Sequence, residues 1–163
     1  MIVSGQMSVK KVPMSMLAPQ GNSLLFTGLS NGIVKKFDMR KKGNVKALEI
    51  SENPIIGIVS GDKSITAIDK EGVITEIDIR SYSAIRITKT KAQVNVFNII
   101  RPNYLLIGTQ KEFEVLDVSN KMNIVYKSEL HKGPVRSIYY STSDKLLFTG
   151  GYDKNINMFQ YSS

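Results

Sequence analysis

The chain of 163 residues has no cysteine, no tryptophan and a single histidine. The missing thiols exclude disulfides, thiolate nucleophiles and sulfur-ligated zinc, and they fit a reducing compartment. With one histidine, a metal site would have to be built from carboxylates. The nearest group, Asp62, Asp69 and Glu71, has the spacing of no calcium loop, so no metal is expected. Long hydrophobic runs are absent too: none approaches the about 18 residues that span a bilayer. The opening residues, MIVSGQMSVKK, show no basic stretch leading into a long apolar one, so no signal peptide is read. A cytoplasmic or nuclear protein without membrane attachment is the expectation. Phosphate loops are lacking, because Gly150-Gly151 runs into Tyr152-Asp153-Lys154 with no helix pattern behind it. Neither a cofactor nor an enzymatic activity is expected.

Acidic residues are in short supply, 14 against 22 Lys plus Arg, for a formal net charge of +8. That balance serves solubility and also attracts anionic partners such as RNA. With 42% hydrophobic and 22% charged residues, the composition is that of a globular protein. A chain of this length buries roughly 70% of its unfolded surface and is read as one domain.

What is present is alternation and repetition. Between Val73 and Arg80 the odd positions up to Ile79 are apolar except Thr75 and the even ones are mostly polar, as in a strand with one buried face. No segment carries a convincing helical period. Four strand ends read KKFDMR, TEIDIR, EVLDVS and NMFQYS, with anchors Phe37, Ile77, Leu116 and Phe159 separated by 40, 39 and 43 residues. A period of this length marks a repeat architecture. The preceding strands repeat as well, as SLLFTG, SITAID, YLLIGT and KLLFTG. Turn residues punctuate them at Ala18 to Asn22 and Ser141 to Asp144. Fourth strands are placed at Val45 to Ser51, Ala84 to Thr88 and Ile124 to Leu130. The last unit has no room for one before Ser163, and an unmatched candidate, Ile2 to Gln6, stands at the other end.

The stretch from His131 to Gln160 carries the most specific signature. His131-x-Gly133 leads in, Thr149-Gly150-Gly151 closes the second strand, and Asp153 and Phe159 follow three and nine residues after Gly150. This arrangement resembles one blade of the WD-repeat β-propeller family, with Phe159-Gln160 where that family usually has Trp-Asp. The resemblance implies an all-β fold of four degenerate antiparallel blades, about 10–51, 52–90, 91–130 and 131–163, with 1–8 as a closing strand. It also implies a structural tetrad of His131, Thr149, Asp153 and Phe159, the last without a donor. His131 with Thr149 and Asp153 is read as this stitch and not as a catalytic triad.

A lone blade leaves apolar faces in water, so four blades need covering. Four possibilities are open: a small ring of four, an eight-bladed ring from two copies, blades supplied by another protein, or a chain that is a piece of a longer gene product. The implied function is a non-enzymatic scaffold, a subunit of a multiprotein complex whose partners are other proteins or a second copy of itself. By the resemblance, its partner-binding face holds Asn31, Glu52, Pro54, Glu71, Lys89, Lys91, Lys132 and Asn155. The alternative is an RNA-associated subunit that binds phosphates through Arg40, Lys41, Lys42, Arg80 and Lys121. Against it, Tyr82 is the one aromatic residue near enough to stack a base. No phosphoinositide-binding Phe-Arg-Arg-Gly motif occurs. In the Tyr139-Tyr140 pair, strand alternation predicts one core and one surface residue.

Overall fold

A computed structural model of the chain describes residues 10–19, 23–41, 45–61, 63–100, 104–117, 120 and 123–160. The proposed closing strand at 1–8, Lys42 and Lys121 lie outside the described residues. Alternating apolar positions and turn residues yield antiparallel strands throughout, with no helix among the described residues. Sheet 1 is β1 (Pro13–Leu17), β2 (Leu24–Leu29), β3 (Ile33–Asp38) and β4 (Val45–Glu49). Sheet 2 is β5 (Ile55–Ser60), β6 (Ser64–Asp69), β7 (Val73–Asp78) and β8 (Ala84–Lys89). Sheet 3 comprises β9 (Val96–Ile100), β10 (Tyr104–Gly108), β11 (Phe113–Asp117) and β12 (Asn123–Ser128). Sheet 4 has three strands, β13 (Val135–Ser141), β14 (Leu146–Gly151) and β15 (Ile156–Gln160). Each is a meander in sequence order. The fourth strands stand within two residues of where the sequence places them: β4 ends two residues early, β8 ends one residue late, and β12 begins one residue and ends two residues early.

The third-strand anchors hold equivalent registers, Phe37 opposite Leu25, Ile77 opposite Ile65, Leu116 opposite Leu105 and Phe159 opposite Leu147. The innermost strand of sheets 1, 2 and 4 carries the same irregularity, at Pro13/Ser15, Ile55/Gly57 and Val135/Ser137. A bulge at that place adds twist to each sheet, and this lets successive sheets splay around a common axis. Packing passes from one sheet to the next through β1, β5, β9 and β13.

Three apolar clusters fill the spaces between neighbours. Phe26, Val34, Ile55, Ile58, Ile65, Ile77 and Tyr82 join sheets 1 and 2. Ile68, Ile74, Val94, Leu105, Ile107 and Leu116 join sheets 2 and 3. Leu106, Phe113 and Leu147, with Phe159 beside them, join sheets 3 and 4. Gly57 shows how tight the second space is: a Cβ there would lie 1.8 Å from the Phe97 ring. Apolar side chains remain in solvent at both ends of the stack. Met14 and Met16 are exposed on sheet 1, and Tyr139, Ile156 and Met158 on sheet 4. The Tyr pair divides as strand alternation requires, Tyr139 outward and Tyr140 against the sheet 3 cluster.

Candidate functional site

Antiparallel meanders put alternate turns at opposite ends of the sheets, so the protein has two rims. The first collects the β2–β3, β4–β5, β6–β7, β8–β9, β10–β11, β12–β13 and β14–β15 connections. His131 sits here, buried, in the segment before β13. Its Nδ1 lies 3.1 Å from both Asp153 carboxylate oxygens, and its Nε2 lies 2.8 Å from Thr149 Oγ1 and 3.0 Å from Asn157 Nδ2. This network fits an imidazole that donates from Nδ1 to Asp153 and accepts at Nε2 from the Thr149 hydroxyl, with the Asn157 amide nitrogen beside the same lone pair. Asp153 also accepts from the backbone N–H groups of Lys132, at 2.9 Å, and Asn155, at 3.2 Å.

Phe159 is not part of the polar network. Its ring lies 5.5 Å from that of Phe113 and 6.2 Å from that of Tyr126, because a side chain with no donor gains more from apolar packing than from the polar pocket. Asn157 approaches His131 instead. The sequence signal for it was strand parity: Asn157 is two residues before Phe159, on the same face, and pairs in register with Thr149.

The Lys132 backbone N–H, with the hydrogen bonds from His131 and Asn155, holds the Asp153 carboxyl down at about 2. A carboxyl depressed in the folded state contributes stability above its ordinary value near about 4 and loses it as pH falls through its folded value. Asp153→Asn is therefore expected to be less stable than the parent at pH 7 and to lose less on acidification from about pH 4 to pH 2. Urea midpoints across that range measure it. Asp38, Asp78 and Asp144 are also depressed, so some acid sensitivity remains in the variant.

Sheet 2 has a stitch of different composition. Ser51 precedes Ile55 by the same four residues that separate His131 from Val135. Its hydroxyl donates to Asp69 Oδ2, Asn53 Nδ2 lies 3.3 Å from the same oxygen, and the Val73 N–H donates to Oδ1 at 2.7 Å. Asp69, one of the carboxylates considered for a metal, is thus fully buried and occupied by donors. The comparison that would have revealed the stitch is SENPI at 51–55 against HKGPV at 131–135.

The predicted partner-binding residues all lie on this first rim. Glu52, Lys89, Lys91, Lys132 and Asn155 are exposed, and Asn31, Pro54 and Glu71 are half-buried. Glu71 is tied to the next connection, accepting from Gln93 Nε2 at 2.7 Å.

The opposite rim brings Arg40 and Arg80 together with Lys36 and Lys46 around a cleft of about 350 Å³ between sheets 1 and 2. Arg40 is held in a two-bond ion pair with Asp38, at 3.0 and 2.8 Å. That pairing keeps the Asp38 carboxyl at about 2. Lys36 donates to the Ile79 carbonyl, and burial together with the Lys46 charge lowers its pKa. Lys41 is exposed and does not line the cleft. Lys46 was missed in the sequence; its register opposite Lys36 on the neighbouring strand is what places it there. Tyr82 is not available to stack a base. Its ring is buried against Phe26, and its hydroxyl donates to the Val34 carbonyl at 2.7 Å.

A third feature is apolar. A groove of about 480 Å³ opens between sheets 3 and 4, lined by Phe113, Val125, Tyr126, Tyr140, Leu147 and Phe159 among others. Among the described residues, no charged side chain lines it.

No protein-family model and no curated protein matches the sequence. Solved structures do match. A chain of the Mitotic Checkpoint Complex is similar with a TM-score of 0.82 and 17% identity, over 95% of this chain and 49% of that one. Raptor of Chaetomium thermophilum is similar with a TM-score of 0.83 and 17% identity, over 96% of this chain and 15% of that one. The computationally designed Ika4 protein is similar with a TM-score of 0.80 and 12% identity, over 97% of this chain and 99% of that one. The chain thus spans half or less of the two natural chains. At these identities the likeness speaks to architecture: the protein is an all-β, partial β-propeller built of four antiparallel blades.

Proposed function

We propose that the chain is a non-enzymatic, intracellular protein-interaction scaffold of WD-repeat type, working as a subunit of a multiprotein complex. The observation that carries this reading is the apolar surface exposed on sheet 4, among the described residues. On sheet 4, Tyr139 is 63%, Met158 64% and Ile156 77% exposed. A group of large side chains left in water on a regular sheet face marks a place for another protein. A second copy or a protein supplying further blades would cover it. The Mitotic Checkpoint Complex and Raptor neighbours support membership of an assembly in general terms.

A second reading has an observation of its own. The cleft edged by Lys36, Arg40, Lys46 and Arg80 has the charge to hold phosphates of an RNA. The Arg40–Asp38 pair and the burial of Tyr82 weigh against it, which leaves it second.

One comparison separates the two. Self-association above the 18.2 kDa of the chain, or co-purification of a defined partner, should be lost in a Tyr139→Glu, Met158→Glu variant and kept in an Arg40→Glu, Arg80→Glu variant. Light scattering on a sizing column reads both. The opposite pattern, with binding of a single-stranded homopolymer RNA that falls steeply between about 50 and 200 mM salt, overturns the scaffold reading in favour of the RNA one.

A further inference from the structure

Sheets 1, 2 and 3 each end in an outer fourth strand, whereas β15 has no described strand on its outer side. Among the described residues β15 is therefore the outer edge of sheet 4, and the apolar groove lies beside it, lined by Phe159 and Gln160 of β15 and by Val125 and Tyr126 of β12. An unpaired edge next to a pocket is the arrangement by which sheets accept an added peptide strand. Backbone hydrogen bonds give the affinity, and alternate side chains entering the pocket give the selectivity.

The protein's own outer strands show what such a strand must carry. The residues paired in register with the anchors Phe37, Ile77 and Leu116 are Val45, Ala84 and Ile124, all apolar. Phe159 is the fourth anchor, and its partner position opens onto the groove. Because the lining is uncharged, a charged side chain there would face apolar surface with no counter-charge beside it, which disfavours it. Lys154 lies just before β15, and Lys145 lies just before β14, whose first residue pairs with Gln160 at the far end of β15; both are exposed, so acidic residues suit the flanks of the incoming strand.

We infer that the β15 edge and its groove bind an extended segment of a partner protein, five or six residues long, antiparallel to β15, with an apolar residue opposite Phe159 and acidic flanks. This names a partner chemistry for the scaffold reading and rests on it. A protein that gathers partners through the exposed Tyr139 and Met158 face while refusing such a strand would lose this inference and keep that reading.

The test uses the full chain and a fluorescent peptide, Asp-Asp-Asn-Ile-Val-Tyr-Ser-Ser-Asp-Asp, patterned on β12 and followed by anisotropy. Saturable binding is expected, at least tenfold weaker when the peptide isoleucine is replaced by lysine. Tyr126 is half-exposed, so Tyr126→Ala should leave the fold intact and weaken binding about tenfold, an effect of the size of one interface aromatic. Tyr139→Ala, on the other face of sheet 4, should leave binding within about twofold, since that face makes no contact with the groove. Absence of binding, indifference to the lysine replacement, or loss through Tyr139 instead of Tyr126 overturns the inference. So does binding that occurs only after residues 1–9 are removed, which would assign the groove to the chain's own amino-terminal segment.

Discussion

Phe26→Ala is expected to lower the unfolding free energy by about 3–5 kcal/mol, measured by urea denaturation. Phe26 is fully buried between sheets 1 and 2, packed in the cluster of Ile55, Ile58 and Ile65 with the Tyr82 ring 6.3 Å away. Two physical terms add in this variant. The ring's transfer from water is lost, and strands on both sides are pinned by backbone pairing, so the space cannot collapse. The Tyr82 hydroxyl, bonded to the Val34 carbonyl, also loses the wall that keeps it dry. A domain of this kind is stabilised by about 5–15 kcal/mol in total, so the variant should lie near the threshold of folding. A change below about 1 kcal/mol would mean that sheets 1 and 2 do not depend on this cluster.

Gly32→Ala is the second large effect, at about 2–4 kcal/mol, and its cause is backbone collision more than conformational strain. Gly32 has a φ of +77°, and a Cβ there would lie 1.7 Å from the Ser51 carbonyl oxygen. Backbone cannot swing aside as the end of a side chain can. Displacing Ser51 would also pull its hydroxyl from Asp69, so the stitch of sheet 2 would open with it. The equivalent turn in sheet 4 separates the two causes, because Lys154 there adopts a φ of +64° with a side chain present. Lys154→Gly should stabilise by less than about 1 kcal/mol, the size of the left-handed penalty alone. If Gly32→Ala proved equally small, the close approach to Ser51 would not be felt in solution.

The strands were legible in the sequence because two independent signals agree on them. Alternation gives each strand its buried face, and the anchors at Phe37, Ile77, Leu116 and Phe159 give the spacing. The stitches were less legible for a physical reason. A polar network is defined by where side chains meet in space, and different residue types can satisfy the same donors. His131, Thr149 and Asp153 stand together because family-like residues mark them. Ser51, Asn53 and Asp69 do the equivalent task in sheet 2 with a shorter side chain and a displaced carboxylate, which a search for histidine passes over. Asn157 was hidden by attention to Phe159, whose ring turned to Phe113 and Tyr126. The basic cleft was half visible: Arg40 and Arg80 are marked by their loops, but Lys46 joins them through cross-strand register.

The passage of contacts from β1 to β5, β9 and β13 has a consequence for how the molecule forms. Each sheet docks on the one just before it in the chain, so short loops close first and no early step waits for distant segments to meet. Stability in such a stack behaves as a sum of sheet terms and nearest-neighbour terms. Sheets 2 and 3, flanked on both sides, are therefore expected to form the persistent centre, with the outer two opening and reclosing more often in hydrogen exchange. Nascent chains can therefore build the stack in the order in which they are synthesised, growing from one nucleated pair outward.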